Sequence, residues 1–128
     1  MTIELNHIIV PAKDPEASAR FLAGILGVKV APRWGHFVPV KTQNGVTLDF
    51  SEDDDFRPQH CAFLVSEAEF DAALARLQKS GAAFYANHRR EGRSEINHLY
   101  GGRGVYFDDP SGHLFELITR PCGETPED

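Results

Sequence analysis

The chain has 128 residues, of which 41% are hydrophobic and 25% are charged, a composition typical of one folded globular domain. Seven of its 19 acidic residues lie in 51–56 and 123–128, so the rest of the chain, with 12 acids against 13 Lys and Arg, is nearly neutral despite the net charge of −6. No segment suits a nucleic acid, a signal peptide or a membrane helix of roughly 20 residues. We therefore expect a cytoplasmic protein without nucleic-acid or membrane partners, and a solvated loop at the basic segment 88–93.

The first half of the chain is predicted to contain a strand, a helix and three further strands. Alternation over 3–10 predicts a strand on which His7 and Ile9 share one face. The helix is expected to begin after an N-cap at Asp14 and to end at Gly27. The remaining strands are expected at 28–33, 36–42 and 46–50, with a turn at 43–45.

The second half is predicted to repeat this order. A strand is expected at 60–65, followed by a helix at 66–81 that begins with a capping box formed by Ser66 and Glu69. Further strands are expected near 83–88, 98–109 and 114–119.

Residue correspondences between the halves indicate an internal duplication. His7 corresponds to His60, and 44–50 corresponds to 111–117, which aligns Asp49 with Glu116. One half alone is too small to bury the concave face of its sheet. Two halves side by side, or two chains that exchange halves, are therefore expected to enclose a cavity.

The aligned histidines and carboxylates predict a metal site. Imidazole and carboxylate groups on apolar strand faces need partners, because burying them unpaired is unfavourable. We predict that His7, His60 and Glu116 bind one divalent ion, since two imidazoles and one carboxylate leave positions open for a substrate. The ligand types suit Fe(II), Mn(II), Zn(II), Ni(II) or Co(II). Asp49 is a candidate fourth ligand, a residue just behind the ligands, or a surface residue.

Three landmarks, "LNHIIV" (5–10), "HCAFLV" (60–65) and "DDPSGHLFELITRP" (108–121), resemble the vicinal oxygen chelate superfamily. This superfamily includes glyoxalase I, fosfomycin and bleomycin resistance proteins, and type I extradiol dioxygenases. The resemblance covers 3–120 and implies an α+β fold in which two βαβββ modules form a U-shaped mixed sheet around a metal or ligand cavity, with the helices outside. It also implies a homodimer, because exchanged modules often build each site from two chains. We expect one domain at 1–122, with modules at about 1–54 and 55–122, and an acidic tail at 123–128.

The stretch 96–116 is similar to the extradiol dioxygenase signature, in which a His, an apolar-Tyr pair, an acid-Pro-x-Gly turn and a Glu follow one another. This resemblance implies Fe(II) and a small catechol-type substrate bound through two adjacent oxygens. It also implies that His98 and Tyr106 hydrogen-bond the substrate or move a proton, with lining or supporting the cavity as the alternative. We therefore expect a metal-dependent enzyme, with ring-cleaving dioxygenation as the favoured chemistry, although catechol dioxygenases of this type usually have a second such domain.

Other activities in the same superfamily remain open. A glyoxalase-like lyase or a fosfomycin-type thiol transferase has similar metal ligands, although Asp49 and Ile9 depart from the patterns of those groups. A ligand-sequestering resistance protein would need no metal, and the intact triad argues against it. The residues expected to line the substrate site, with core or exposed positions as the alternative, are Trp34, Phe50, Tyr100 and Arg103.

Overall fold

The structure, a computed structural model, describes residues 2–123. These residues form two α-helices and seven strands in two mixed sheets, an α+β fold. The chain divides between Arg57 and Pro58 into two compact units. Neither helix of the described residues is long and apolar enough to cross a membrane. The acidic tail predicted at 123–128 lies, apart from Gly123, outside the described residues.

The first unit is a three-stranded sheet with one helix. Its elements are β1 (His7–Ala12), α1 (Pro15–Leu26), β2 (Phe37–Lys41) and β3 (Thr47–Glu52). Strand β3 is central, with β1 parallel and β2 antiparallel to it. The predicted ends of α1 are confirmed: the Asp14 side chain accepts a hydrogen bond from the Ala17 N–H at 3.1 Å, and Gly27 ends the helix at φ 75°.

Two predictions for strands of the first unit are wrong: one strand is shorter than predicted, and another does not form. Strand β1 begins at His7 instead of Ile3, and the segment before it is exposed. The expected strand at 28–33 is only an isolated bridge between Val30 and Val40. Proline at position 32 supplies no N–H, so this segment cannot continue a ladder of hydrogen bonds.

Alternation gives the first sheet two different faces. Val10, Val38 and Phe50 are neighbours in register and are almost completely buried on the face that packs against α1. Ile9 pairs with Asp49, and both lie on the opposite face together with His7. Ile9 is 54% exposed, so in the first unit this second face is not covered by a helix.

The second unit has a four-stranded sheet. Its elements are β4 (His60–Leu64), α2 (Glu67–Ser80), β5 (Phe84–Tyr85), a 3₁₀ turn (Leu99–Gly101), β6 (Gly104–Asp108) and β7 (Leu114–Ile118). The strand order is β4-β7-β6-β5, and β4 is parallel to β7. The predicted start of α2 is confirmed, because Ser66 accepts the Glu69 N–H at 3.1 Å.

Strands β5 and β6 are shorter than predicted. After Tyr85 the Ala86 N–H bonds to the carbonyls of Glu91 and Gly92, which closes a loop instead of extending β5. The segment before Gly104 turns because Tyr100 has a left-handed backbone with φ 57°.

The two units pair their strands in the same way. In each unit the first strand lies parallel to the last, with His7 opposite Thr47 and His60 opposite Leu114. Asp49 and Glu116 therefore occupy equivalent positions, each two residues further along its strand and on the same face as its histidine.

Candidate metal-binding site

His60 and Glu116 form a close pair on neighbouring strands of the second unit. His60 Nε2 lies 3.1 Å from Glu116 Oε1, and His60 Nδ1 lies 3.0 Å from the Leu114 carbonyl oxygen. A carbonyl oxygen only accepts hydrogen bonds, so Nδ1 carries the proton of the neutral imidazole. In the neutral ring Nε2 presents a lone pair to the carboxylate, and in the protonated ring it donates to the carboxylate.

This arrangement fits a shared cation. An unprotonated Nε2 and a carboxylate oxygen are both acceptors, and at 3.1 Å they repel each other unless a proton or a metal ion lies between them. Glu116 is only 6% exposed, and a buried carboxylate needs a partner. A histidine whose Nδ1–H is fixed by a backbone carbonyl is also the usual form of a metal ligand. The pair therefore suits a divalent metal in both its ligand types and its orientation.

The first unit presents a second histidine and carboxylate. His7 is exposed, and its Nδ1 donates to Asn6 Oδ1 at 2.7 Å, which leaves Nε2 open. Asp49 is 3% exposed, so it is not a surface residue. Its Oδ1 is buried and has no hydrogen-bond partner among residues 2–123. An orphaned carboxylate oxygen of this kind also suits a cation.

Each unit by itself contributes one imidazole and one carboxylate. Within residues 2–123, neither unit taken alone gathers three or more His, Cys, Asp or Glu side chains that could hold a metal ion. The predicted triad of His7, His60 and Glu116 would therefore need groups from both units.

Tyr106 contacts the pair in the second unit. Its ring stacks on His60 with centroids 5.8 Å apart, and it lies opposite Glu116 in the ladder of β6 and β7. Burial raises the pKa of Tyr106 most, and its hydrogen bond to the Glu116 carboxylate raises it further. The phenol therefore stays protonated and donates to Glu116.

The other two predicted side chains of this region differ in placement. The Tyr100 hydroxyl and Cys122 Sγ lie 3.6 Å apart in a hydrogen bond that raises the pKa of Tyr100 most, and the Glu116 charge adds to the effect. Tyr100 is thus within electrostatic reach of the pair. His98 is exposed at the start of the 3₁₀ turn and does not cap it. Among residues 2–123, no hydrogen bond or ring contact joins His98 to the pair.

The structure places two expected lining residues elsewhere. Phe50 is completely buried on the α1 side of the first sheet, because it directly follows Asp49 and so faces the opposite way. The guanidinium of Arg103 forms ion pairs with Glu67 and Asp71 on α2, each at 2.8 Å, and lies 4.5 Å from the Phe70 ring centroid. Phe50 is thus a core residue. Arg103 stabilises the packing of α2 through its ion pairs and its contact with Phe70.

Trp34 packs against a residue that lines an open cavity of the first unit. It is 58% exposed and packs against Phe37, with ring centroids 5.1 Å apart. Phe37 and Ser51 are opposite each other in register and share the face of Asp49. They line a cavity of about 580 Å³, completed by His36, Glu52, Asp53 and Asp54.

Solved structures and curated sequences resemble the chain over most of its length. The structure of "Oxidase ChaP-H2" is 50% identical, covers 98% of this chain and 100% of its own, and superposes with a TM-score of 0.94. The metallothiol transferase FosB of Lysinibacillus sphaericus (strain C3-41) is 28% identical over 127 residues, which are 93% of this chain and 84% of FosB.

A more distant structure contains a metal. It is a variant of the fosfomycin resistance protein FosX from Listeria monocytogenes, complexed with Mn(II) and a dihydroxypropylphosphonic acid. FosX is 23% identical, with a TM-score of 0.72 over 95% of this chain and 96% of its own, so this likeness shows the fold alone. Residues 4–117 match the family described as Glyoxalase/Bleomycin resistance protein/Dioxygenase superfamily. With its two units, their helices and their equivalent strand pairs, the chain belongs to this superfamily.

Proposed function

We propose that the chain is a metal-dependent enzyme that oxidises a small aromatic substrate held through two adjacent oxygens. The observation that carries this proposal is the convergence of His60 Nε2 and Glu116 Oε1 at 3.1 Å, with Nδ1 fixed on a backbone carbonyl. The 50% identity to a protein named as an oxidase favours oxidation over the other chemistries of the family.

The proposed ligands are His60 and Glu116 of the second unit and His7 of the first. Asp49, with its orphaned oxygen, is proposed as a fourth ligand or as a group that holds the ligands in place. Bound there, Fe(II) would hold both oxygens of a catechol-type substrate and supply the redox chemistry of ring cleavage.

The protein itself supplies orientation and a proton. Tyr106 keeps its hydroxyl proton because of burial and of Glu116, so it would donate to a substrate oxygen that gains negative charge when that oxygen replaces Glu116 as the acceptor. Its ring, together with Tyr85 and Leu114, forms an apolar cluster on the same sheet face as Glu116. A flat aromatic ring would pack against such a surface. The catalytic role of His98 stays a prediction. His98 could contact only a substrate that reaches the 3₁₀ turn.

Thiol transfer to a phosphonate is the second candidate, supported by the 28% identity to FosB. A phosphonate dianion requires cationic donors. Two arginines of the second unit are engaged elsewhere, since Arg103 pairs with Glu67 and Asp71 and Arg90 pairs with Asp108, and the 28% identity to FosB is lower than the 50% identity to the oxidase. We therefore rank oxidation first. A metal-free ligand-binding module ranks last, because it gives no role to the buried oxygen of Asp49 that has no hydrogen-bond partner among residues 2–123.

We also propose that the chain acts as a homodimer. Large apolar side chains are exposed in both units: Ile3 and Ile9 in the first and Leu64 in the second. Exposed apolar surface of this extent suits a contact with another copy. The triad could then take His7 and His60 from one chain or from two.

Metal analysis tests the proposal most directly. Protein purified without chelators should carry one divalent ion per site, and His60→Ala should lose it, because His60 supplies one of the three proposed ligands. His98→Ala, which replaces an exposed histidine of the same unit, should retain the metal. Full metal content in His60→Ala would contradict the proposed site.

Substrate assays separate the two chemistries. After anaerobic loading with Fe(II), catechols and air should give dioxygen uptake and a yellow ring-fission product. Turnover of fosfomycin with a thiol, without any uptake of dioxygen with catechols, would establish the second candidate instead.

A further inference from the structure

His88 lies beside the proposed metal-binding pair, although the sequence alone indicates only a solvated basic loop there. It is the second residue of a turn that is closed by the Arg90 N–H donating to the Asn87 carbonyl at 3.1 Å. Its ring meets the Tyr106 ring at 60°, with centroids 6.4 Å apart. The same tyrosine stacks on His60 at 5.8 Å. Tyr106 therefore contacts both imidazoles.

Polar contacts hold the turn in place. Arg90 bonds to Asp108 Oδ1 through Nε and Nη2, each at 2.8 Å. The Asn97 amide donates to the Ala86 carbonyl at 2.7 Å, which fixes the start of the loop. These contacts anchor the loop to β6 and to the segment before it, so the fold determines where His88 lies.

The imidazole of His88 is available to a ligand. It is exposed, and neither ring nitrogen forms a hydrogen bond with residues 2–123. A ligand could therefore bind either nitrogen without breaking an internal hydrogen bond. A side chain that only supported Tyr106 would not need to be polar, because the contact between the two rings is apolar.

We propose that His88 is a substrate-binding residue, whose imidazole forms a hydrogen bond with an oxygen of the substrate outside the metal-bound pair. This inference rests on the proposed function and specifies its substrate class. The substrate is a planar aromatic compound with a vicinal pair of oxygens and at least one further oxygen-bearing substituent. The aromatic ring lies along Tyr106, and the substituent reaches His88.

Binding of two catechols to the Mn(II)-loaded protein tests this role without turnover. The probes are 4-nitrocatechol, which carries an additional oxygen-bearing group, and catechol itself, titrated without air and followed by absorbance. His88→Phe keeps a ring against Tyr106 but removes both nitrogens. It should weaken 4-nitrocatechol binding about 3- to 10-fold, the effect of one lost hydrogen bond, and leave catechol binding unchanged. His88→Gln should recover part of the loss.

The matched control is Arg89→Gln on the same turn, since the Arg89 side chain makes no hydrogen bond or ion pair within residues 2–123. It should bind both catechols as the wild type does. Every variant should retain its Mn(II) and its melting temperature. If His88→Phe keeps the metal and binds 4-nitrocatechol as tightly as the wild type, or weakens both catechols equally, the role of His88 is overturned while the proposed function stands. If the wild type retains no metal or binds neither catechol, the proposed function itself fails.

Discussion

At His60, the partner of one ring nitrogen determines what the other nitrogen can bind. The Leu114 carbonyl holds the Nδ1 proton, so in the neutral ring Nε2 faces Glu116 as an acceptor. His7 has the same arrangement with Asn6 as its partner. A local acceptor next to each histidine thus prepares it as a metal ligand before any metal is bound.

Replacing Glu116 by Gln should separate stability from metal binding. The N–H of the new side-chain amide would donate to the lone pair of His60 Nε2. A hydrogen bond would then replace the repulsion between two acceptor atoms. We expect Glu116→Gln to raise the free energy of unfolding in the presence of EDTA by about 1 kcal/mol and to weaken metal binding at least about tenfold. Urea unfolding and metal titration measure both quantities. A less stable variant that retains its metal would contradict the acceptor-acceptor interpretation.

Tyr106 should make the protein sensitive to alkaline pH. Its pKa is raised in the fold, first by burial and then by Glu116, while in the unfolded chain it ionises near its usual value of about 10. The folded state therefore keeps a proton that the unfolded state loses, so the stabilisation is complete below pH 10 and decreases as the pH rises above it. The urea midpoint should fall between about pH 9 and pH 11, and it should fall less in Tyr106→Phe. Equal falls would show that Tyr106 does not contribute.

At the scale of elements, the loop that carries His88 depends on a close approach of its two ends. Gly92 has φ 66°, and a Cβ on it would lie 2.7 Å from the Ala86 Cβ. Gly45, in the turn before β3, has φ 87° with no atom within 4 Å of the added Cβ. An alanine would therefore have a strained left-handed backbone at either position. Only at Gly92 would its methyl group also clash with a neighbouring side chain.

Gly92→Ala should cost more stability than Gly45→Ala. We expect a loss of about 1 kcal/mol for Gly45→Ala, from the left-handed backbone alone, and of about 2–4 kcal/mol for Gly92→Ala, where a clash is added. Urea unfolding of both variants provides the comparison. Equal losses would mean that the loop relaxes around the new methyl group.

The sequence predicts which face of a strand a residue occupies better than it predicts contacts between distant parts of the chain. Alternation correctly puts His7 on the face of Ile9, and it could also have removed Phe50 from the site, because neighbours on a strand face opposite ways. It could not show that Arg103 would be bound by Glu67 and Asp71, since the ion pairs form across 36 and 32 residues of sequence.

For the whole molecule, metal binding should be part of the folding stability. A ligand that binds only the folded state at about 100 times its Kd adds about 2.7 kcal/mol. We expect Mn(II) to raise the melting temperature of the wild type by several degrees and to leave that of His60→Ala unchanged. An equal rise in both proteins would indicate that the metal binds elsewhere.

Mixing variants should show how the proposed homodimer builds its sites. If each site takes His7 and His60 from different chains, a dimer of His7→Ala with His60→Ala contains one intact site. We expect an equimolar mixture, refolded together, to recover about a quarter of the wild-type metal, because about half of the dimers are mixed and each mixed dimer has one intact site of its two. No recovery in a proven mixed dimer would place both histidines in one chain, and a monomer in sedimentation would contradict the proposed dimer.

The sequence by itself determined the repeat, the helix ends and the family resemblance, because caps, glycines and alternation are local signals. It also indicated that each half carries one histidine and one carboxylate on inward-facing positions of its strands. Only the tertiary structure brought Tyr106 and His88 to His60 and Glu116 and assigned Phe50 to the core. Those contacts depend on the register of strands that are distant in the chain, as with the 56 residues between His60 and Glu116, and no local periodicity encodes that register.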